Sequence, residues 1–238
     1  QIPVTTGDSY TAALSVQALL EAAERVGVAP ERATVAVVGA TGAIGGACAR
    51  LLAARAGRLL LVGRRADALE AMRAELSARA RGPVEVATDI AAVRSADLVL
   101  SATSAGRPII FPEHLKSGAV VCDVARPRDV SMQVHRERQD VLVVDGGLAQ
   151  TPGGVGLGFD YGLPPGLTFG CMAETITLAL EGRFEDYTVG KELDIGRVRE
   201  IQEMAARHGF RLAPLHCLDR PLPPERIRAV AAYRQQTM

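Results

Sequence analysis

The stretch Val35–Leu52, VAVVGATGAIGGACARLL, decides the fold. An apolar run reads as a buried strand, Gly39, Gly42 and Gly45 follow at G-x-x-G-x-x-G spacing, and a helical pattern opens directly behind them. Glycines so placed let the chain turn tightly and approach a pyrophosphate, whose charge the first N–H groups and the dipole of the helix would meet. Thr41, Gly42, Ala43 and Ile44 are the candidate donors. A tight strand–helix turn without a ligand is the competing reading, and the surrounding strand pattern makes it the weaker one.

That pattern extends on both sides. Strand-like runs occupy Thr34–Gly39, Arg58–Gly63, Val84–Thr88, Asp97–Ala102, Ala119–Val124 and Val141–Gly146, with the clearest helical patterns at Ala43–Ala56 and Ala66–Ala80 between them. The runs are continuously apolar rather than alternating, as strands covered by helices on both faces require. The expectation is an α/β protein with a doubly wound, Rossmann-type parallel sheet. An amphipathic helix over Asp8–Val26, capped by Asp8 or Ser9 and closed by Gly27 and Pro30, precedes the sheet. Beyond Gly146, GGLAQTPGGVGLGFDYGLPPGLTFG reads as a long irregular loop, a kind that is usually functional or disordered. Helices are expected from Cys171 to Leu180, from Ile195 to His208, and in a basic tail after Pro224. Residues 1–30 thus form a linker helix, 31–150 a nucleotide-binding domain, and 151–238 a Gly/Pro-rich loop with C-terminal helices. Because the sequence opens on Gln1 rather than Met, a further N-terminal domain is expected before it.

Composition narrows the function classes. Lys+Arg and Asp+Glu both number 27, so no basic excess marks a nucleic-acid or anionic-membrane partner. Aromatic residues are 4% and Trp is absent, which argues against base-stacking surfaces. Cys48, Cys122, Cys171 and Cys217 show neither metal-ligand spacing nor a disulfide framework, so no metal is expected and a cytoplasmic location is. No apolar run is long enough to span a bilayer, and no export signal is visible.

The end of the second strand bears on the cofactor. An acidic residue there would bind the ribose hydroxyls of NAD, whereas arginine accommodates the extra phosphate of NADP. The strand ends LVGRR, so Arg64 and Arg65 point to NADP(H), their guanidinium groups being suited to a phosphate. At another location the pair would read as solvated surface charge. Ser101, Ala102 and Thr103, in SATSAG at the end of the fourth strand, are small enough to let a nicotinamide ribose approach. For any one of them a plain strand-to-loop transition is nearly as good an account.

Four residue sets compete for the chemical step. Tyr187 and Lys191 match Y-x-x-x-K, but Gly190 interrupts the helical turn the pair needs, and the match is read as coincidence. His114, His135, His208 and His216 show no carboxylate partner or metal spacing, and surface or capping roles suit them. Asp145, in VVDGG, either contacts a ligand or caps a turn. Cys171, in LTFGCMAETITLAL, falls in the first turn of its expected helix, where N–H groups lower a thiol pKa and can hold the oxyanion formed by thiolate addition. Cys48 and Cys122 suit packing roles.

With these residues in view, the sequence resembles the cyanobacterial long-chain acyl-(acyl-carrier-protein) reductases. The likeness runs through VTTGDSYTA from Val4, ATVAVVGATGAIG over Ala33–Gly45, FGCMAE over Phe169–Glu174, EG at Glu181–Gly182 and HGF at His208–Phe210. It implies a covalent, NADPH-dependent reduction of acyl thioesters to aldehydes, with Cys171 as the acylated nucleophile and the glycine turn holding NADPH. It also implies an acyl thioester or acyl carrier protein as partner, a membrane contact only through a lipid substrate, and a preceding domain that helps form the acyl pocket. Homo-oligomerisation stays open. Two alternatives stand beside it: a shikimate-dehydrogenase-like oxidoreductase with direct hydride transfer, and a non-catalytic NADP-binding domain.

Overall fold

The computed structural model describes residues 2–237; Gln1 and Met238, the outermost residues of the expected linker and tail, lie outside the described residues. Helix α1 (Asp8–Arg25) begins behind Gly7, which takes a left-handed conformation at φ 76° and is the N-cap, one residue before the expected one. Gly7 has no side chain to offer, so the cap comes from elsewhere in the chain. Residues on every side of α1 are buried, among them Tyr10, Leu14, Val16 and Leu19, so the helix runs through the interior rather than over a surface.

The alternation that follows builds the sheet: β1 (Thr34–Val38), α2 (Ala43–Ala53), β2 (Arg58–Val62), α3 (Ala66–Ser77), β3 (Val84–Ala87), β4 (Leu98–Ser101), β5 (Val120–Asp123), α4 (Met132–Glu137) and β6 (Leu142–Asp145). The six strands pair in parallel in the order β3-β2-β1-β4-β5-β6. That is the doubly wound Rossmann order, whose direction of winding reverses between β1 and β4. Strands β1, β4, β5 and β6 are buried on both faces, which explains their unbroken apolar runs. One face of the sheet packs on α1, α2 and α3 through Val35, Val37, Leu59, Leu98, Leu100 and Leu142. The other face is covered more thinly than full winding requires. The β3–β4 connection is a 3-10 turn at Ile90–Ser95, a second turn lies at Pro112–His114, and α4 has only six residues.

The Gly/Pro-rich stretch is not wholly irregular. β7 (Leu148–Gln150) and β8 (Leu167–Phe169) pair antiparallel within it, with Leu148, Ala149 and Leu167 buried. Then come α5 (Gly170–Leu180), α6 (Ile195–Arg207), β9 (Arg211–Leu212), which joins β7, the β10 (His216–Cys217) and β11 (Arg220–Pro221) hairpin, and α7 (Pro224–Thr237). Among the described residues no helix is long and apolar enough to cross a membrane.

Candidate active site at the carboxyl edge of the sheet

All six strands of the parallel sheet end on one edge, and their last residues lie in register. Val62 pairs with Val38, Val38 with Ser101, Ser101 with Asp123, and Asp123 with Asp145. Ligands of such sheets bind outside this edge, where the winding reverses.

The glycine turn is packed as its spacing predicts. A Cβ on Gly39 would stand 2.4 Å from the Ala102 carbonyl oxygen, and one on Gly45 would stand 2.2 Å from the Gly39 oxygen. Only glycine fits either place, so the turn draws β1, the start of α2 and the end of β4 together. Among the expected donors, the Gly42 N–H is already given to the Gly39 oxygen at 2.9 Å. The N–H groups of Thr41, Ala43 and Ile44 have no partner among the described residues, and those of Ala43 and Ile44 open α2. Arg64 and Arg65 follow β2 after Gly63, both are exposed, and neither forms an ion pair among the described residues. These N–H groups and the two guanidinium groups make a donor set that fits an anionic nucleotide.

Ser101, Ala102 and Thr103 are held by a residue that the sequence did not single out. Asp129 is fully buried, and its carboxylate accepts from the Ser101 hydroxyl at 2.7 Å, the Thr103 N–H at 3.0 Å and the Thr103 hydroxyl at 2.5 Å. Asp123, at the end of β5, holds the segment carrying Asp129 by accepting from the N–H groups of Val130 at 2.9 Å and Ala125 at 3.1 Å. Burial pushes the Asp123 carboxyl up to about 6, and nearby Asp129 adds to the rise. Asp145 serves structure: it pairs with Arg128 at 3.1 Å and accepts the Asp219 N–H at 2.7 Å.

Cys171 is the second residue of α5, and the Gly170 N–H donates to the Gly147 oxygen at 2.7 Å, two residues past the end of β6. This hydrogen bond sets the start of α5 beside the end of β6, on the sheet edge where the glycine turn follows β1. One expectation is corrected here. The thiol pKa is raised rather than lowered, because burial outweighs the hydrogen bonds from the N–H groups of Met172 and Cys171, and the Asp8 and Glu174 carboxylates push the same way.

Glu174, one turn further along α5, is fully buried and caps α1. Its Oε2 accepts the Tyr10 N–H at 2.8 Å, and its Oε1 accepts the hydroxyls of Thr5 at 2.5 Å and Thr188 at 2.7 Å. Both VTTG and FGCMAE thus contribute to one buried knot. Its only sequence signal is the motif itself, since the partners lie up to 169 residues apart.

The remaining candidates fall outside this site. Tyr187 is buried in a loop with its hydroxyl 2.9 Å from Glu200, while Lys191 is exposed. His114 accepts from the Phe111 N–H, His135 lies 3.5 Å from the Cys217 sulfur, and His216 contacts the Pro214 carbonyl. His208 ends α6 as expected but has a carboxylate partner that the sequence did not reveal, Glu181 at 2.9 Å. Cys48 and Cys122 are buried under α1.

Comparison with known proteins agrees with this architecture. Residues 21–146, just over half of the chain, match the family described as shikimate / quinate 5-dehydrogenase. The chain is 35% identical over 237 residues to aminotransferase PigE of Serratia sp., covering 98% of this chain and 28% of that protein. It is 30% identical over 214 residues to the long-chain acyl-[acyl-carrier-protein] reductase of Synechococcus elongatus, covering 87% of this chain and 61% of the relative. The chain therefore spans less than two thirds of either relative. Among solved structures, shikimate 5-dehydrogenase from Listeria monocytogenes, in complex with shikimate and NAD, superposes with a TM-score of 0.45 at 15% identity, over 79% of this chain and 62% of that one.

Proposed function

We propose that this chain, which belongs to the shikimate / quinate 5-dehydrogenase family, is an NADPH-dependent reductase that converts acyl thioesters to aldehydes through an acylated Cys171. The observation that carries this reading is the place of Cys171: partly exposed, in the first turn of α5, on the sheet edge that holds the glycine turn. The 30% identity to an acyl-[acyl-carrier-protein] reductase supports the choice of substrate class. Acyl carrier protein or coenzyme A as carrier is part of the same proposal.

The chain's own groups divide the work. The N–H groups of Ala43 and Ile44 would hold the pyrophosphate of the cofactor, Arg64 and Arg65 its additional phosphate, and the Ser101–Thr103 turn would border its nicotinamide ribose. NADPH, when bound, supplies the hydride. The Cys171 sulfur attacks the thioester carbonyl, and the N–H groups at the start of α5 stabilise the charge that develops on the oxygen. Splitting the reaction at an acyl-enzyme replaces one difficult step by two easier ones.

Intact-mass measurement after incubation with an acyl-coenzyme A tests the reading. An adduct equal to the acyl group is expected, and it should vanish in Cys171→Ala. No adduct, or one that survives the substitution, would end it. The family match favours a second reading, direct hydride transfer to a carbonyl without a covalent step. Full activity of Cys171→Ala toward a carbonyl substrate would select it.

A further inference from the structure

The N-termini of α1 and α5 meet, and they meet at Cys171. A Cβ on Gly7 would fall 2.2 Å from the Cys171 Cα and 2.3 Å from its Cβ, so the two backbones touch where only glycine allows it. The next residue, Asp8, is the first of α1 and is half-buried. Asp8 thus stands one residue from the point where the two backbones touch. We propose that Asp8 is the acid–base group of acyl transfer at Cys171, taking the thiol proton as the sulfur attacks and returning it to the departing carrier thiol. This inference rests on the acyl-thioester reading and adds a residue to it.

The neighbours of Cys171 leave Asp8 as the candidate. Asp8 on α1 and Glu174 on α5 are the charged groups that bear on the thiol. Both oxygens of Glu174 are committed to the Tyr10 N–H and to the hydroxyls of Thr5 and Thr188, and the residue is fully buried. Burial raises the proton affinity of Asp8 against the pull of Thr6, and its carboxylate forms no ion pair among the described residues. The four histidines are placed elsewhere, Lys116 is paired with Asp97, and Lys191 is exposed. A raised thiol pKa means that Cys171 rests protonated, so the nucleophile needs a proton acceptor.

The step balances without an oxidant. The S–H bond of Cys171 breaks toward an Asp8 oxygen, and the Sγ–carbonyl carbon bond forms. The carbon–sulfur bond to the carrier then breaks, and the leaving thiolate receives the proton held by Asp8. No electrons are transferred to or from the acyl group.

The test compares two rates on the full chain without cofactor. One is alkylation of Cys171 by iodoacetamide, taken as the difference from Cys171→Ala; the other is Cys171 acylation by an acyl-coenzyme A, followed by intact mass. Removing the Asp8 charge in Asp8→Asn should make the thiol more acidic and speed alkylation near neutral pH. Acylation should instead slow roughly a hundredfold or more, the usual scale for loss of a general acid–base group, and Asp8→Glu should recover part of it. Acylation that keeps pace with alkylation in Asp8→Asn would overturn the proposal and leave the acyl-enzyme standing. Absence of any adduct on the unaltered chain would overturn both. Continued protection of Cys48 and Cys122 reports that the variant is folded. Should it not be, the acylation rate of the unaltered chain decides: it should rise with ionisation of a carboxyl, and a rise with the thiol alone would overturn the proposal.

Discussion

Asp123 ends β5 in the row of residues that borders the candidate site, and its carboxyl carries a proton to unusually high pH for an aspartate. Burial raises it from an ordinary 3.8 to about 6, against the pull of the Val130, Asp129 and Ala125 N–H groups. Between these values the folded chain holds a proton that the unfolded chain has released, so folding is favoured most below pH 4. That contribution is lost as the pH rises from 4 to 6, at about 1.4 kcal/mol per pH unit and roughly 3 kcal/mol in all. Urea midpoints across this range should therefore fall more steeply for the unaltered chain than for Asp123→Asn, whose side chain does not titrate. Parallel pH profiles would show that Asp123 is ionised throughout. The same loss of a proton acts on the site, since Asp123 carries the segment from which Asp129 holds Ser101 and Thr103. Neither aspartate was legible as part of the site. Their partners are backbone and hydroxyl groups of other strands, and DVARPRD carries no periodicity that marks which carboxylates turn inward.

At the scale of elements, the joint between α1 and α5 is the counterpart of the glycine turn. The turn was readable because a local constraint wrote it: strand, close approach and helix follow one another within a dozen residues. The joint was readable only in its cysteine. Sequence could place Cys171 in a first turn, yet it could not show that burial would outweigh the N–H groups there and that α1 would add the Asp8 carboxylate to that of Glu174, which reversed the expected direction of its pKa. Nor could it show that α1, begun at Gly7 without a side-chain cap, takes its cap from Glu174 on another helix. Because that carboxylate is fully buried and accepts from three groups, Glu174→Ala would leave the Thr5 and Thr188 hydroxyls and the Tyr10 N–H without their acceptor. A loss of about 3 kcal/mol is expected, in the range for breaking a buried hydrogen-bonded network, read as a lower urea midpoint with an unchanged slope. A loss under about 0.5 kcal/mol, the scale of a surface substitution, would mean that the knot does not hold α1.

For the whole molecule, the doubly wound parallel sheet was legible because parallel strands must be apolar on both faces and because crossover connections leave few topologies. What the pattern could not reveal is how the last third of the chain attaches, since that depends on packing across large separations in sequence. The attachment runs through α1. Its buried residues belong to the same apolar cluster as β1, β4, β5 and β6 on one side and as Ala173, Leu178, Val198 and Ile201 of α5 and α6 on the other. With one helix shared by both parts, neither can expose its core without the other, so the chain should unfold in a single transition. Leu14, fully buried on α1, probes this. Leu14→Ala should cost about 2–5 kcal/mol through the lost apolar contact and the cavity left behind. Thiol labelling of Cys48 and Cys122 reports the sheet, and fluorescence of a tryptophan placed at the exposed Phe184 reports the helical part beyond it. Both midpoints should shift together by the same amount. If labelling moves while the fluorescence transition stays in place, the two parts fold separately and α1 belongs to the sheet alone.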